Sequence, residues 1–318
     1  MNDMERAGGI GRHLSPFAVW GLSFGYAVGW GAFVMPGAAL AAIAADAEVA
    51  IAGEAEASAT QDHAEGLVDR FSFNAYADVE TAYICRGYVW DTRPFSSQYA
   101  AVEVDLDPVG AIEPSIWTYS PMSSSGHSDA MTRYAYAEID YLLRYYYDID
   151  IADGWRLRNG VGRQWVTNPG FRGGRTLTDW QALQVLDTPW LTPYWRLRVI
   201  CRPVDETYWA LGVKRSFDIL DDLSFTADFF GDVGDRRHFR NMYGGWADAN
   251  RRSLSAGLHA LNLVLRLDYR LFEHVGLFAF VGQFCVVDDD ARDAVKAAQV
   301  PEARRDLTFG GAGVSVSF

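Results

Sequence analysis

The last eleven residues, 308–318, constrain this chain more than any other stretch. Thr308, Gly310, Ala312, Val314, Val316 and Phe318 occupy every second position, with Phe309, Gly311, Gly313, Ser315 and Ser317 between them. A repeat of two is the side-chain period of a β-strand with unlike faces. One face runs from small to apolar, the other is mostly small or polar, and the strand stops on an aromatic side chain. Such a strand needs partners, and the segments 71–83 and 275–286 are the expected ones.

The same period recurs upstream. In 71–83, Phe71, Phe73, Ala75, Ala77 and Val79 alternate with Ser72, Asn74, Tyr76, Asp78 and Glu80. In 133–148, Ile139, Tyr141, Leu143, Tyr145 and Tyr147 oppose Glu138, Asp140 and Arg144, and the apolar face ends in aromatics as a membrane-interface belt does. Segments 98–106, 194–202, 207–217, 223–229 and 261–271 repeat the scheme, with weaker strands at 111–119, 155–166 and 178–186. Segment 275–286 is almost wholly apolar, so its facing stays open. These segments and the terminal strand make about twelve strands, and 71–83 is about as long as a bilayer requires.

The connections between them alternate in length. Short ones fall at 107–110, 149–154, 187–191, 218–222 and 272–274, and long ones at 87–97, 120–132, 168–176, 235–252 and 288–305, with a tight exception at 203–206. Short turns at one end and long loops at the other are the asymmetry of an outer-membrane barrel. The expected fold is therefore all-β: a closed antiparallel transmembrane β-barrel of about twelve strands over 69–318, with both termini periplasmic. A soluble β-sandwich also alternates, but it leaves the Trp-rich outer faces and the many charges on the opposite faces to be explained.

Composition agrees. The mean hydropathy of -0.07 is far from that of a helical membrane protein, yet aromatic residues make up 14% of the chain, as two interfacial girdles require. A net charge of -13 argues against nucleic acid as a partner. The three cysteines, Cys85, Cys201 and Cys285, are far apart and form no CxxC or Cys/His pattern, so no metal and no cofactor are expected.

The first 68 residues read differently. From Leu14 to Ala45 no residue is charged, Arg6 and Arg12 precede the run, and Ala42 and Ala44 fit an A-x-A processing site, so 1–45 is expected to be a signal peptide or hydrophobic leader. Within it, residues 29–37 resemble the opening of the first membrane helix of amino-acid permeases of the APC superfamily. No later charge-free helix follows, so no permease is implied. Residues 46–68 are rich in Ala and acids and are expected to be a disordered periplasmic segment. Six of the acids lie there, which leaves the barrel with much of its acidity removed.

A family resemblance lies at the start of the barrel. Tyr83-Ile84-Cys85-Arg86-Gly87-Tyr88-Val89-Trp90, followed by Arg93-Pro94, resembles the first hairpin of TorF-type putative porins, which open with a Tyr-x-x-Arg-Gly element and a downstream Pro; Cys85 stands where an aromatic is common. Residues 191–194 and 208–213 resemble middle hairpins of the same group. The resemblance implies an outer-membrane barrel and a porin label without a solute. By the same kind of likeness, a terminal strand ending at Phe318 is what outer-membrane barrels present to the barrel-assembly machinery, so Phe318 is the expected insertion signal.

With the apolar residues outward, the lumen receives Asp78, Glu80, Glu103, Asp105, Glu138 and Asp140 from the early strands. Arg144, Arg156, Arg158, Arg196, Arg198 and Lys214 follow from the middle ones, and Asp228, Arg266, Asp268 and Arg270 from the later ones. These are the expected pore-lining residues. They either form an acidic wall facing a basic one or pair and brace the interior. The expected function is an outer-membrane porin-like channel for passive diffusion of small polar solutes or ions; the alternative is a closed structural or adhesin-like barrel acting through its loops. Outer-membrane lipid and lipopolysaccharide are the expected surroundings, with Arg236, Arg237, His238 and Arg240 as a basic loop for lipopolysaccharide phosphates.

An enzyme is not expected. Outer-membrane phospholipases place Ser and His on the lipid side, and His259 and Ser255 share the parity of lipid-facing Leu261. Four residues along one strand is ~13 Å, too far for a nucleophile and its base. His127, His238 and His274 are expected to be solvated in loops or turns, and His63 in the N-terminal segment.

Overall fold

The computed structural model describes residues 70–122, 138–167, 176–202, 205–249, 254–297 and 304–318. The leader and acidic segments expected at 1–45 and 46–68 lie outside the described residues, as does His127.

Twelve strands form the closed barrel: β1 (Phe71–Glu80), β4 (Phe95–Asp105), β5 (Ala111–Pro121), β6 (Glu138–Ala152), β7 (Trp155–Thr167), β8 (Thr176–Asp187), β9 (Thr192–Arg202), β10 (Glu206–Leu220), β11 (Leu223–Gly234), β12 (Gly257–Arg270), β13 (Val275–Val286) and β14 (Asp306–Ser317). Two further strands, β2 (Tyr83–Cys85) and β3 (Tyr88–Asp91), make a separate hairpin between β1 and β4. Helix α1 (Arg236–Ala249) follows β11 and α2 (Asp289–Ala297) follows β13. Every barrel strand pairs antiparallel with its neighbour along the chain, and β14 closes onto β1 from Asn74↔Ser317 to Glu80↔Gly311. The terminal strand thus has the partners its pattern demands, β1 on one side and β13 on the other. The sandwich reading falls with the closure.

Closure explains the alternation. Outward positions carry exposed Tyr141, Leu143, Tyr145, Leu211, Leu263, Leu267 and Val281, an apolar surface that lipid covers and water does not. Exposed Phe71, Trp190, Phe272 and Phe318 gather at the short-turn end, as an interfacial aromatic belt. No helix among the described residues is long and apolar enough to cross a membrane; the strands do the crossing. A closed, even-stranded antiparallel barrel with an apolar outside and a charged inside is an outer-membrane barrel.

The apolar strand β13 resolves its own facing. Phe278, Phe284 and Val286 are buried inward while Leu277 and Val281 face out. The inward side of β14 is small for this reason: a Cβ on Gly313 would stand 2.6 Å from the Phe278 ring and one on Gly311 would stand 2.7 Å from the Phe280 ring. The glycines of the terminal strand make room for β13 aromatics lying across them.

Several bounds depart from the sequence pattern: β6 runs on to Ala152 and β10 to Leu220, so the turns expected at 149–154 and 218–222 are shorter, and β11 runs on to Gly234. Two further departures bear on the site. β1 stops at Glu80 rather than running to Tyr83, because the chain turns into the lumen to form the β2–β3 hairpin. In β12 the register slips where Asp232 pairs with Ala260 and Val233 with Leu258, leaving His259 as the extra residue of a β-bulge. His259 therefore does not face lipid with Leu261. It is buried at 1% exposure and stacks on Phe239 of α1.

Candidate functional site

The candidate site is the lumen and the hairpin lodged in it. The hairpin turns through Arg86 and Gly87, both with positive φ (58° and 73°), between the paired residues Cys85 and Tyr88. Two left-handed residues are what a tight hairpin turn requires, and glycine in the second position suits it. Gly87 is needed for a further reason: a Cβ there would stand 3.0 Å from the Asp232 side chain on β11.

Apolar packing seats the hairpin. Val89 belongs to one buried cluster with Phe239 and Tyr243 of α1, Phe284 and Val286 of β13, and Ala294 and Val295 of α2. On the other side Tyr83 stacks on Tyr119 at 4.8 Å and donates its hydroxyl to Glu138 at 3.2 Å. At the stem, Arg93 donates through Nε to both Asp91 oxygens at 3.0 Å, and the Tyr119 hydroxyl donates to the same carboxylate. The long-loop end is therefore covered by the hairpin and two helices.

The tip is held by polar contacts to the far wall. Arg86 Nη2 lies 3.2 Å from Asp179 Oδ2 on β8, and Arg198 of β9 reaches the same oxygen at 3.7 Å. Gln181 donates to Asp179 Oδ1 at 3.1 Å and to Gln164, and Gln164 donates to Asp140. Tyr243 donates to the Gly87 carbonyl, and His238 of α1 lies 3.0 Å from the Arg86 carbonyl. His238 is thus fully buried and not solvated as expected, because α1 packs its first turn against the hairpin.

The sixteen residues expected in the lumen fall into several distinct groups. Glu103, Asp105 and Arg158 border a cavity of about 400 Å³ at the short-turn end, where Arg158 lies 2.9 Å from Asp148 and 3.8 Å from Glu103. Arg144, Arg196 and Arg198 border a smaller cavity of about 170 Å³ along β7–β9. Glu138 and Asp140 sit near the hairpin tip. Asp78 accepts from Ser97 at 2.6 Å, Asp228 accepts from Tyr194 at 2.8 Å beside Lys214, which pairs with it in register, and Arg266 bonds Asp268 at 2.6 Å. Arg156 pairs with Asp150 at 3.1 Å near the rim, Arg270 donates to the Asp221 carbonyl at 2.6 Å, and Glu80 ends β1 opposite Phe95. Seven of the sixteen, Glu103, Arg144, Arg156, Arg158, Arg198, Arg266 and Asp268, stand in ion pairs, as for Arg144 with Glu113 at 2.6 Å.

Sequence reasoning missed Asp179, Gln164, Asp232, Glu206 and the role of Arg86. Asp179 could have been found, since it alternates with the outward Trp180. Phe318, the expected insertion signal, exchanges backbone hydrogen bonds with Phe73 at 3.0 and 3.1 Å and stacks on His274 at 4.7 Å.

No family model matches this chain, and no curated protein matches it. Among solved structures it is similar to an outer membrane channel from Pseudomonas putida F1, with 9% identity, a TM-score of 0.47, and coverage of 78% of this chain and 95% of that one. It is also similar to the KdgM porin, with 8% identity, a TM-score of 0.42 and coverage of 78% and 99%. Outer membrane phospholipase A from Escherichia coli is similar at 11% identity and a TM-score of 0.41, with coverage of 79% and 96%. These likenesses are of barrel fold alone.

Proposed function

We propose that this protein is a narrow, porin-like outer-membrane channel that passes small polar solutes or ions by passive diffusion, of the TorF-type group. The observation that carries the reading is the charged inner face of a closed, lipid-clad barrel. Charges on an inner face favour a water-filled path, because a dry interior would make each of them costly. Arg196 is exposed within it, lies over the Tyr194 ring at 5.2 Å and makes no ion pair among the described residues, so its charge is left to act on passing ions. The seated hairpin is the constriction. In this reading the termini and short turns are periplasmic and the long loops face outward. There, exposed Arg236, Arg237 and Arg240 meet lipopolysaccharide phosphates, and Phe318 is the signal read by the barrel-assembly machinery. Catalysis is not part of the reading, since His259 lies among aromatic rings and away from lipid.

A second reading, a closed barrel acting through its loops, is favoured by the packed cluster that covers the long-loop end. Planar-bilayer recording separates the two. Channel events are expected from the refolded protein, larger once residues 83–91 are replaced by a short linker. Silence from both proteins at every voltage leaves only the closed barrel. Arg196→Ala should move the reversal potential toward cation selectivity, more at low salt than at high, and an unmoved potential removes Arg196 from the ion path.

A further inference from the structure

His238 stands between two oxygen atoms. Its Nδ1 lies 3.3 Å from Glu206 Oε1 at the head of β10, and its Nε2 lies 3.0 Å from the carbonyl oxygen of Arg86 at the hairpin tip. A carbonyl oxygen can only accept, and so can an ionised carboxylate. A neutral imidazole carries one N–H, so it bonds one of these oxygens and turns a lone pair on the other. Both contacts exist together only when the Glu206–His238 pair holds one further proton. Its place is immaterial. An imidazolium donates to both oxygens; equally, a neutral imidazole donates from Nε2 while its Nδ1 accepts from a Glu206 carboxylic acid. His238 and Glu206 are 0% and 2% exposed, so an opposed pair of lone pairs there is costly.

We infer that the Glu206–His238 pair is a proton-dependent latch for the hairpin. The protonated pair ties the tip to α1 and β10 across the lumen, and its loss of one proton as pH rises breaks one of the two bonds and loosens the tip.

The groups around the ring have other partners. On the approach to α1, Asp235 takes the His238 backbone N–H on Oδ1 at 2.7 Å, as a helix cap, and the Thr207 N–H on Oδ2 at 2.9 Å. Asn241 donates to the second oxygen of Glu206 at 2.5 Å. From β10, Tyr208 packs beside the ring and donates to Asp232 of β11, whose other oxygen accepts from Asn262 of β12 at 2.6 Å. From β12, His259 stacks on Phe239. From the hairpin, the Arg86 guanidinium points to Asp179, next to Cys85. Arg237 donates to the Asp205 carbonyl at 3.3 Å. The tip's remaining ties, Tyr243 to Gly87 and Arg86 to Asp179, keep their protons through neutral pH.

The test is amide hydrogen–deuterium exchange of residues 84–89 in the refolded full chain, corrected for intrinsic rate, from about pH 6 to about pH 9. Wild-type protection is expected to fall about tenfold or more across that range, as one buried hydrogen bond is lost. Glu206→Gln is expected to stay protected throughout, because its amide N–H donates to Nδ1 and its carbonyl accepts from Asn241 with no added proton. His238→Phe, lacking both bonds, is expected to be poorly protected at every pH. Wild-type protection that is flat with pH, or that falls equally in Glu206→Gln, overturns the latch. The inference rests on the channel reading only for its consequence, a conductance that rises with pH. Silence in bilayers alongside pH-dependent exchange overturns the channel and supports the latch.

Discussion

Arg86 and Asp179 meet across the lumen at 3.2 Å, one at the tip of the β2–β3 hairpin and the other on the inner face of β8. Both side chains are nearly buried, and the same carboxylate oxygen also faces Arg198 at 3.7 Å. One acidic group therefore answers two cations, one fixed to the wall and one carried by the hairpin. This asymmetry makes the two partners unequal when either is removed.

Arg86→Ala leaves Asp179 with Arg198 and takes away only the hairpin's charge, so the barrel should stay intact while the hairpin loosens. Asp179→Ala strands two guanidinium groups and should cost more, on the order of 3–5 kcal/mol for a broken buried pair. Single-channel recordings should show both variants opening to larger, noisier levels, and urea titration should place Asp179→Ala below Arg86→Ala in stability. The reverse order would mean that Asp179 is not the shared anchor.

The two faces of β12 should respond oppositely to charge. Leu263 is 40% exposed on the outside of the barrel, and Leu263→Arg near mid-strand should destabilise by roughly 2–4 kcal/mol in a bilayer. Arginine at the adjacent inward Val264 should cost much less, since it enters a polar lumen. Refolding equilibria in lipid vesicles read the difference, and equal costs would contradict the assigned facing.

Gly313 tests the packing of the terminal strand. A Cβ there meets the Ala77 carbonyl and, at 2.6 Å, the Phe278 ring, and a leucine has no room to retreat. Gly313→Leu should destabilise by about 1–3 kcal/mol or more through overpacking. The companion Ala312→Leu, on the outward face, should be close to neutral. Heat-modified mobility on gels and urea midpoints distinguish the two.

Acid should act on the stem of the hairpin. Burial pushes the Asp91 carboxyl up, but hydrogen bonds from Arg93 and Tyr119 and the Arg93 charge outweigh it and hold the group below the usual carboxylate range. A depressed carboxyl contributes stability that is present above its unfolded value and disappears as pH falls through its folded one. The stem should thus hold through mild acid and loosen only below about pH 4. Pepsin cleavage within residues 81–94 should appear only in that range, and at higher pH in Asp91→Asn. Cleavage of wild type already in mild acid would contradict the depressed carboxyl.

The barrel was legible in the sequence because its two solvents, lipid and water, impose a period of two on every strand except the almost wholly apolar β13. Leu263 and Arg266 declare opposite faces with no knowledge of the partner strand. The pattern also placed Glu103, Arg144 and Arg198 on the inner side. It failed at His259, where one inserted residue reverses the facing and only the β11 register reveals the bulge. It failed again at the lumen's occupant. Tyr83 to Trp90 is apolar enough to pass for an outward loop, and the partners that draw it inward lie on distant strands. His238 misled for a related reason: charge neighbours in sequence, Arg236, Arg237 and Arg240, mark a wet helix face, while the fourth side chain turns under the helix.

The hairpin is encoded in the first excursion of the barrel, yet its anchors come much later. Arg86 and Asp179 are 93 residues apart, and the contacts of Arg86 with His238 and of Gly87 with Tyr243 span 152 and 156 residues. Closing loops of such separation costs more chain entropy than local strand pairing does. A barrel still growing strand by strand has a hairpin with nowhere to dock, and it gains a seat for it only when β8, β11 and α1 have arrived. The earliest loop to be made is the last to be placed, so a seated hairpin marks a finished barrel.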